Sequence, residues 1–245
     1  MRPSIGLIAA LAIGLGLMAG PALAQQMSID LGGGGGETLS LRSVQLLLLI
    51  TVLSILPGLA VMVTCFPFIV TVLSILRQAI GLQQAPPNML IVSLAMFLTW
   101  FVMDPVFTEA WTTGIEPMTN GTMEIGPGLQ AAIAPFRDFM ALRVDPETLQ
   151  ALQDLRASAP VPPAEAPLSL LVPSFLLSEI QRAFEIGFMI YLPFLIIDLV
   201  VAAILMSMGM MMVPPAVVSL PFKLVFFVVA DGWALISGAL VRSYF

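Results

Sequence analysis

The sequence has no histidine and a single cysteine, Cys65, in 245 residues. A histidine-based catalytic triad, a histidine metal site, a zinc cluster and an intrachain disulfide are excluded at once. Charge is scarce as well: 10% of residues are charged, where a soluble domain carries about a quarter. The few charges are mostly acidic, nine Lys and Arg against fifteen Asp and Glu for a net charge of −6. No basic surface is available to neutralise phosphates, so nucleic acid is not an expected partner. What the chain has instead is apolar side chains, 59% of the total, gathered in long runs. These features describe an all-α integral membrane protein built of helical hairpins with kinked apolar helices. No metal, no cofactor and no enzymatic activity are expected.

Residues 1–24 read as a cleavable signal peptide. Arg2 precedes an apolar run from Ile5 to Met18, and Ala22-Leu23-Ala24 supplies small residues at a cleavage site before Gln25. The alternative is a first membrane anchor, but the run is shorter than the roughly 20 residues a crossing helix needs. Residues 25–43, with glycine unbroken from Gly32 to Gly36, read as a flexible tether. Residues 44–107 form a first apolar hairpin. One arm runs from Val44 to Leu76, long enough for a tilted span or a broken pair, with kinks expected at Pro57-Gly58 and Pro67. The other runs from Asn88 to Phe107 and is interrupted at Asp104-Pro105.

Residues 108–185 change character, with ten acidic residues against four arginines. Leu129 to Phe139 and Pro146 to Leu155 suit short amphipathic helices, the second with Asp145 as N-cap and Pro146 at its first position. A proline-rich linker, Ala159 to Pro167, follows. Phe175 to Phe188 returns to helical spacing: Ile180, Phe184 and Phe188 mark a packing side, while Glu179, Arg182 and Glu185 mark a polar face. Residues 186–245 form a second apolar hairpin, with arms Ile186 to Met206 and Pro221 to Leu240 around a methionine-rich loop. An exported N-terminus places the turns at 77–88 and 207–221 inside and the acidic region outside, with Arg77 and Lys223 at the inner turns.

The loop Gly209-Met210-Met211-Met212-Val213-Pro214-Pro215 draws the most attention. Gly209, Pro214 and Pro215 prevent a continuous helix, and irregular backbone at membrane depth is tolerated only within protein or along a cavity. Met210, Met211 and Met212 either fill gaps in an ordinary helical turn, the commoner use of methionine, or converge from several copies as a soft gasket around a pore. Asp104, Asp198, Lys223 and Asp231 lie in or beside apolar helices, where each ionised group needs a partner or water. An Asp198–Lys223 pair is expected; a buried structural ion pair is the commoner role for such groups, and a proton relay the alternative. Cys65 is expected to be an inert packing residue.

Several stretches are similar to one family. Ala85-Pro86-Pro87-Asn88, Glu185-Ile186-Gly187-Phe188, Leu192 through Val200, Met208 through Pro215, Leu220-Pro221-Phe222-Lys223 and Asp231-Gly232-Trp233 resemble the FliP/SctR family of type III export gate proteins, in its flagellar branch. The resemblance covers nearly the whole mature chain, and Leu76 to Gly81 matches more loosely. It implies a helical oligomeric pore in the bacterial inner membrane at the flagellar basal body. Five copies assemble there with FliQ, FliR and other flagellar export apparatus membrane proteins, and unfolded flagellar subunits pass through. It implies that the sealing methionines are Met210, Met211 and Met212. The orientation set by the signal peptide puts residues 108–185 on the periplasmic side, and the Glu179, Arg182 and Glu185 face is either a solvated or interfacial one or a contact with an adjacent copy. The chain departs from the family at Pro67-Phe68, where Thr-Arg is usual, so any contact through that arginine is absent. Two other readings stay open: the equivalent subunit of a virulence injectisome, and an ion-coupled small-molecule transporter with a site near Asp198 and Asp231.

Overall fold

The computed structural model describes residues 38–82, 86–156 and 160–245, all helix, turn and short connection, with no strand among them. The signal peptide and the glycine run lie outside the described residues. The chain divides into two units, residues 1–51 and residues 52–245. In the first, the described residues begin helix α1, Thr38–Met62, which starts within the stretch assigned to the tether. Leu46 to Ile50 are exposed there, and Thr51 returns its hydroxyl to the carbonyl of Leu47 at 2.7 Å. Val44–Met62 is long and apolar enough to cross a membrane.

In the second unit the run from Val44 to Leu76 proves to be a broken pair, and the break differs from the expected one. Pro57 lies inside α1. The helix ends where the Thr64 hydroxyl donates to the carbonyl of Val61 at 3.1 Å and accepts from the amide of Phe66 at 3.4 Å. Helix α2, Phe66–Ile80, then begins with Pro67 in its first turn. A first-turn proline loses no helical hydrogen bond, so Pro67 starts a helix where a kink was expected. Helix α2 is the centre of the fold: Phe68, Ile69, Val72, Leu73 and Leu76 have no exposed surface.

Helix α3, Asn88–Ala110, packs on α2 to complete the hairpin. It runs straight through Asp104-Pro105, which corrects the expected interruption. A proline removes one backbone donor, and an apolar helix with packed neighbours tolerates that loss. Arg77 donates to Asn88 and to the carbonyl of Pro86, tying the two arms at their turn. Beyond Ala110 the helix widens by one residue per turn over Trp111–Ile115 and closes with α4, Glu116–Thr119.

Helix α5, Ile125–Arg143, is longer than the predicted amphipathic piece, whereas α6, Pro146–Leu155, has the expected bounds. Asp145 caps α6 as anticipated, its carboxylate accepting from the amide and the hydroxyl of Thr148, both at 2.8 Å. Those two donors hold the Asp145 carboxyl below its ordinary range. The widened turn meets α5 at Gly114, where a β-carbon would lie 2.4 Å from the backbone nitrogen of Ala132. Backbone cannot rotate aside as a side chain can. Gly114→Ala is therefore expected to prise the two elements apart at a cost of about 1–3 kcal/mol, read as a lower apparent Tm in detergent; an unchanged Tm contradicts the close approach.

Helix α7, Leu168–Ser207, is a single helix of 40 residues. It carries the last part of the polar region and the whole third apolar segment in one rod about 60 Å long, roughly twice the hydrocarbon thickness. Its first half packs on α5 and α6, and α2 lies along it. The last apolar segment, expected to be one helix, is two: α8, Pro215–Val229, and α9, Gly232–Arg242, bent by 61° at Ala230-Asp231. Among the described residues three helices qualify as membrane spans by length and composition, or four if the bent pair is one span.

Candidate functional site

The methionine loop is defined by how α7 stops. The amide of Gly209 bonds the carbonyl of Met206 at 3.0 Å, and that of Met210 bonds Leu205 at 2.9 Å. This pair of reversed bonds satisfies carbonyls the helix leaves open, and it requires a left-handed residue between them. Gly209 supplies that, at φ +74°. Pro214 is extended, and Pro215 opens α8, so no helix can form back through the loop. Between these stops Met210, Met211 and Met212 are 43%, 84% and 98% exposed. They fill no gap within the single chain, and their side chains are left exposed.

Behind the loop stands the expected ion pair. Lys223 Nζ lies 2.6 Å from Asp198 Oδ2, and Ser219 Oγ donates to Asp198 Oδ1 at 2.5 Å. Ser219 and Lys223 are one turn apart on α8 and so meet the same α7 carboxylate. The ammonium also donates to the carbonyl of Ala79 at 3.2 Å, in the last turn of α2. Three helices are joined at one buried cation, about 14 Å along α7 from the loop. Of the four ionisable groups expected to be buried, Lys223 is, and Asp198 is 35% exposed at its side chain. Asp104 and Asp231 are exposed on the single chain and take no part in this cluster.

The polar face is also revised. Glu179 points inward and is fully buried, Arg182 is half-buried, and Glu185 is exposed, accepting from Gln181 at 3.1 Å. Glu179 accepts from Arg143 Nε at 3.2 Å and from the hydroxyl of Tyr244, and Arg182 Nη1 stands 3.9 Å away. Arg143 Nη2 is 3.2 Å from the same carboxylate oxygen but is not aligned for a hydrogen bond, so that contact is electrostatic. The Arg143 guanidinium lies 4.0 Å over the Tyr244 ring, and its Nη1 donates to the carbonyl of Ser243 at 2.8 Å. Burial, then the neighbouring Glu179 carboxylate, pushes the Tyr244 phenol upward, which keeps it a donor. Arg143 and Tyr244 were invisible as site residues in the sequence. The available signal was Glu179-Ala183-Gly187, whose four-residue spacing marks the buried stripe as clearly as Phe184 and Phe188 mark the exposed one.

Cys65 is a buried, free thiol. Among the described residues no group of three or more Cys, Asp or Glu side chains is placed to hold a metal ion.

The FliP family model matches residues 49–240. The flagellar biosynthetic protein FliP of Caulobacter vibrioides is 49% identical over 95% of this chain and 88% of its own length. Those of Rhizobium meliloti and Bacillus subtilis are 48% and 43% identical over 80% and 82% of this chain, covering 81% and 92% of their own lengths. With outward methionines, a three-helix ion pair and long apolar helices on this scale of identity, the chain belongs to the FliP family, structural proteins of the flagellar export apparatus rather than enzymes.

Proposed function

We propose that the chain is a core subunit of the flagellar type III export gate. In this reading several copies, five in number, join FliQ and FliR in the inner membrane and enclose a channel for unfolded flagellar subunits. Residues 108–185 face the periplasm. The observation that carries the reading is the state of Met210, Met211 and Met212: held by a glycine reversal and two prolines, they are exposed where packing would have hidden them. Copies arranged about an axis would bring those side chains together. Unbranched and polarisable, they would close against water and ions and still yield to a passing chain of any sequence.

The experiment replaces Met210, Met211 and Met212 together with alanine in cells making the whole apparatus. Ion leakage across the resting membrane, followed with a potential-sensitive dye, is expected to rise several-fold while the assembled complex is still recovered. Unchanged leakage from an intact complex would sink the gasket.

A further inference from the structure

Asp231 is the one described residue other than glycine with a positive φ, at φ 47° and ψ 48°. It lies at the N-cap of α9, yet its side chain makes no cap hydrogen bond. No salt bridge holds it either: among the described residues the close ion pairs are Arg143–Glu179, Arg182–Glu179 and Lys223–Asp198. The carboxylate instead lines a cleft of about 520 Å³ whose other walls are apolar and aromatic, Phe227, Val228 and Trp233 among them. Trp233, which lines the same cleft, stands edge-on to Phe227 at 5.4 Å.

A carboxylate at the mouth of an aromatic cleft is suited to one chemistry, a cationic head on an apolar stem, attracted by the charge and by the π face together. The source of that cation follows from depth. Helices α8 and α9 together qualify as one bent span. Counted along them, Asp231 is about 24 Å from Pro215 and about 16 Å from Arg242, so a pair that crosses as one span holds it inside a hydrocarbon layer of about 30 Å. Lipid headgroups lie at the surface of that layer, and an ionised acid within it needs a partner. Among the described residues, Lys223 is committed to Asp198 and Ala79, and Arg77 to Asn88 and the carbonyl of Pro86. Arg242 is at the far end of Asp231's own helix, out of reach.

We infer that the Asp231–Trp233 cleft receives a lysine or arginine carried on an apolar helix of a neighbouring membrane chain. The inference is independent of the methionine constriction and rests on a different face of the second apolar hairpin. It also gives the unpaired acid and its left-handed backbone a common purpose, since the turn holds the carboxylate at the cleft and away from the helix end it would otherwise cap.

The test uses the full chain in its native membrane, with the photoreactive residue benzoylphenylalanine in place of Val228, an exposed side chain on the cleft wall. The expected product is a cross-link to a peptide of a neighbouring membrane chain with a lysine or arginine inside an apolar helix. Asp231→Asn is the companion variant, because asparagine also accepts a left-handed backbone; the yield should fall about tenfold or more. Asp231→Lys should abolish the cross-link, and exchanging the partner's cation for glutamate should restore it. Cross-linking to phospholipid alone, to a peptide without a buried cation, or in equal yield from Asp231→Asn would each overturn the inference. The peptide captured with Asp231 intact decides the matter even if a substituted chain misfolds.

Discussion

Glu179→Ala is expected to have the largest effect of any single substitution, lowering the apparent Tm in detergent by roughly 6–20 °C. The side chain has no exposed surface and serves Arg143 and Tyr244, which reach it from other elements, and Arg182 one turn along its own helix. Removing one side of a buried ion pair costs about 3–5 kcal/mol because the remaining charge has neither partner nor water; in a chain of this size each kilocalorie is worth about 2–4 °C. Arg143 keeps the Ser243 carbonyl and the Tyr244 ring, but Tyr244 loses its acceptor. The damage should therefore spread to the C-terminus, which the network ties to α7, and protease should cut there first. Replacing Glu179 by leucine and Arg143 by methionine together should restore part of the loss, since an apolar pair leaves no orphaned charge. A Glu179→Ala chain melting within about 2 °C of the parent would mean that the network does not hold the C-terminus.

Asp198→Ala comes next. Lys223 is 6% exposed at its side chain, and without its acid only the Ala79 carbonyl would remain to it. Because Asp198 is itself partly exposed, the lower part of the range applies, about 3 kcal/mol or roughly 6–12 °C. The consequence is also local. Asp198 and Lys223 fasten α8 to α7 on either side of the methionine loop, so their loss should free the loop's two stems to move. In membranes, Asp198→Ala is expected to raise resting ion leakage with all three methionines intact, whereas Asp198→Ala with Lys223→Met should recover much of the stability. Destabilisation in the double variant equal to the sum of those of Asp198→Ala and Lys223→Met alone would show that the ion pair carries no coupling energy.

How much of this was legible in the sequence depends on the kind of signal. Terminators were readable: the Asp145 cap and the Gly209 to Pro215 stop act through backbone chemistry within a few residues. The Asp198–Lys223 pair was readable too, because two charges in apolar helices beside one short turn have few other partners. Facing was not. Ile180-Phe184-Phe188 and Glu179-Ala183-Gly187 share one spacing, and periodicity cannot say which stripe is inside. In water the large apolar stripe would turn inward. Here Ala183 and Gly187 turn inward, letting α2 approach so closely that a β-carbon on Gly187 would lie 2.4 Å from Ile75, and Phe184 and Phe188 face outward. Prolines misled for a related reason: Pro67 starts a helix and Pro105 passes through one.

The sequence by itself determined the solvent of this protein, its helical class, its family and the place where its last hairpin must break. Each depends on composition, or on residues within a few positions of one another. Tertiary structure alone decided that α2 is the buried centre, that α7 is one unbroken rod, that Glu179 is interior and that Asp231 makes no cap hydrogen bond or ion pair among the described residues. Those outcomes depend on which helices come within a few ångströms of each other, and that is settled by the packing of side chains far apart in the chain.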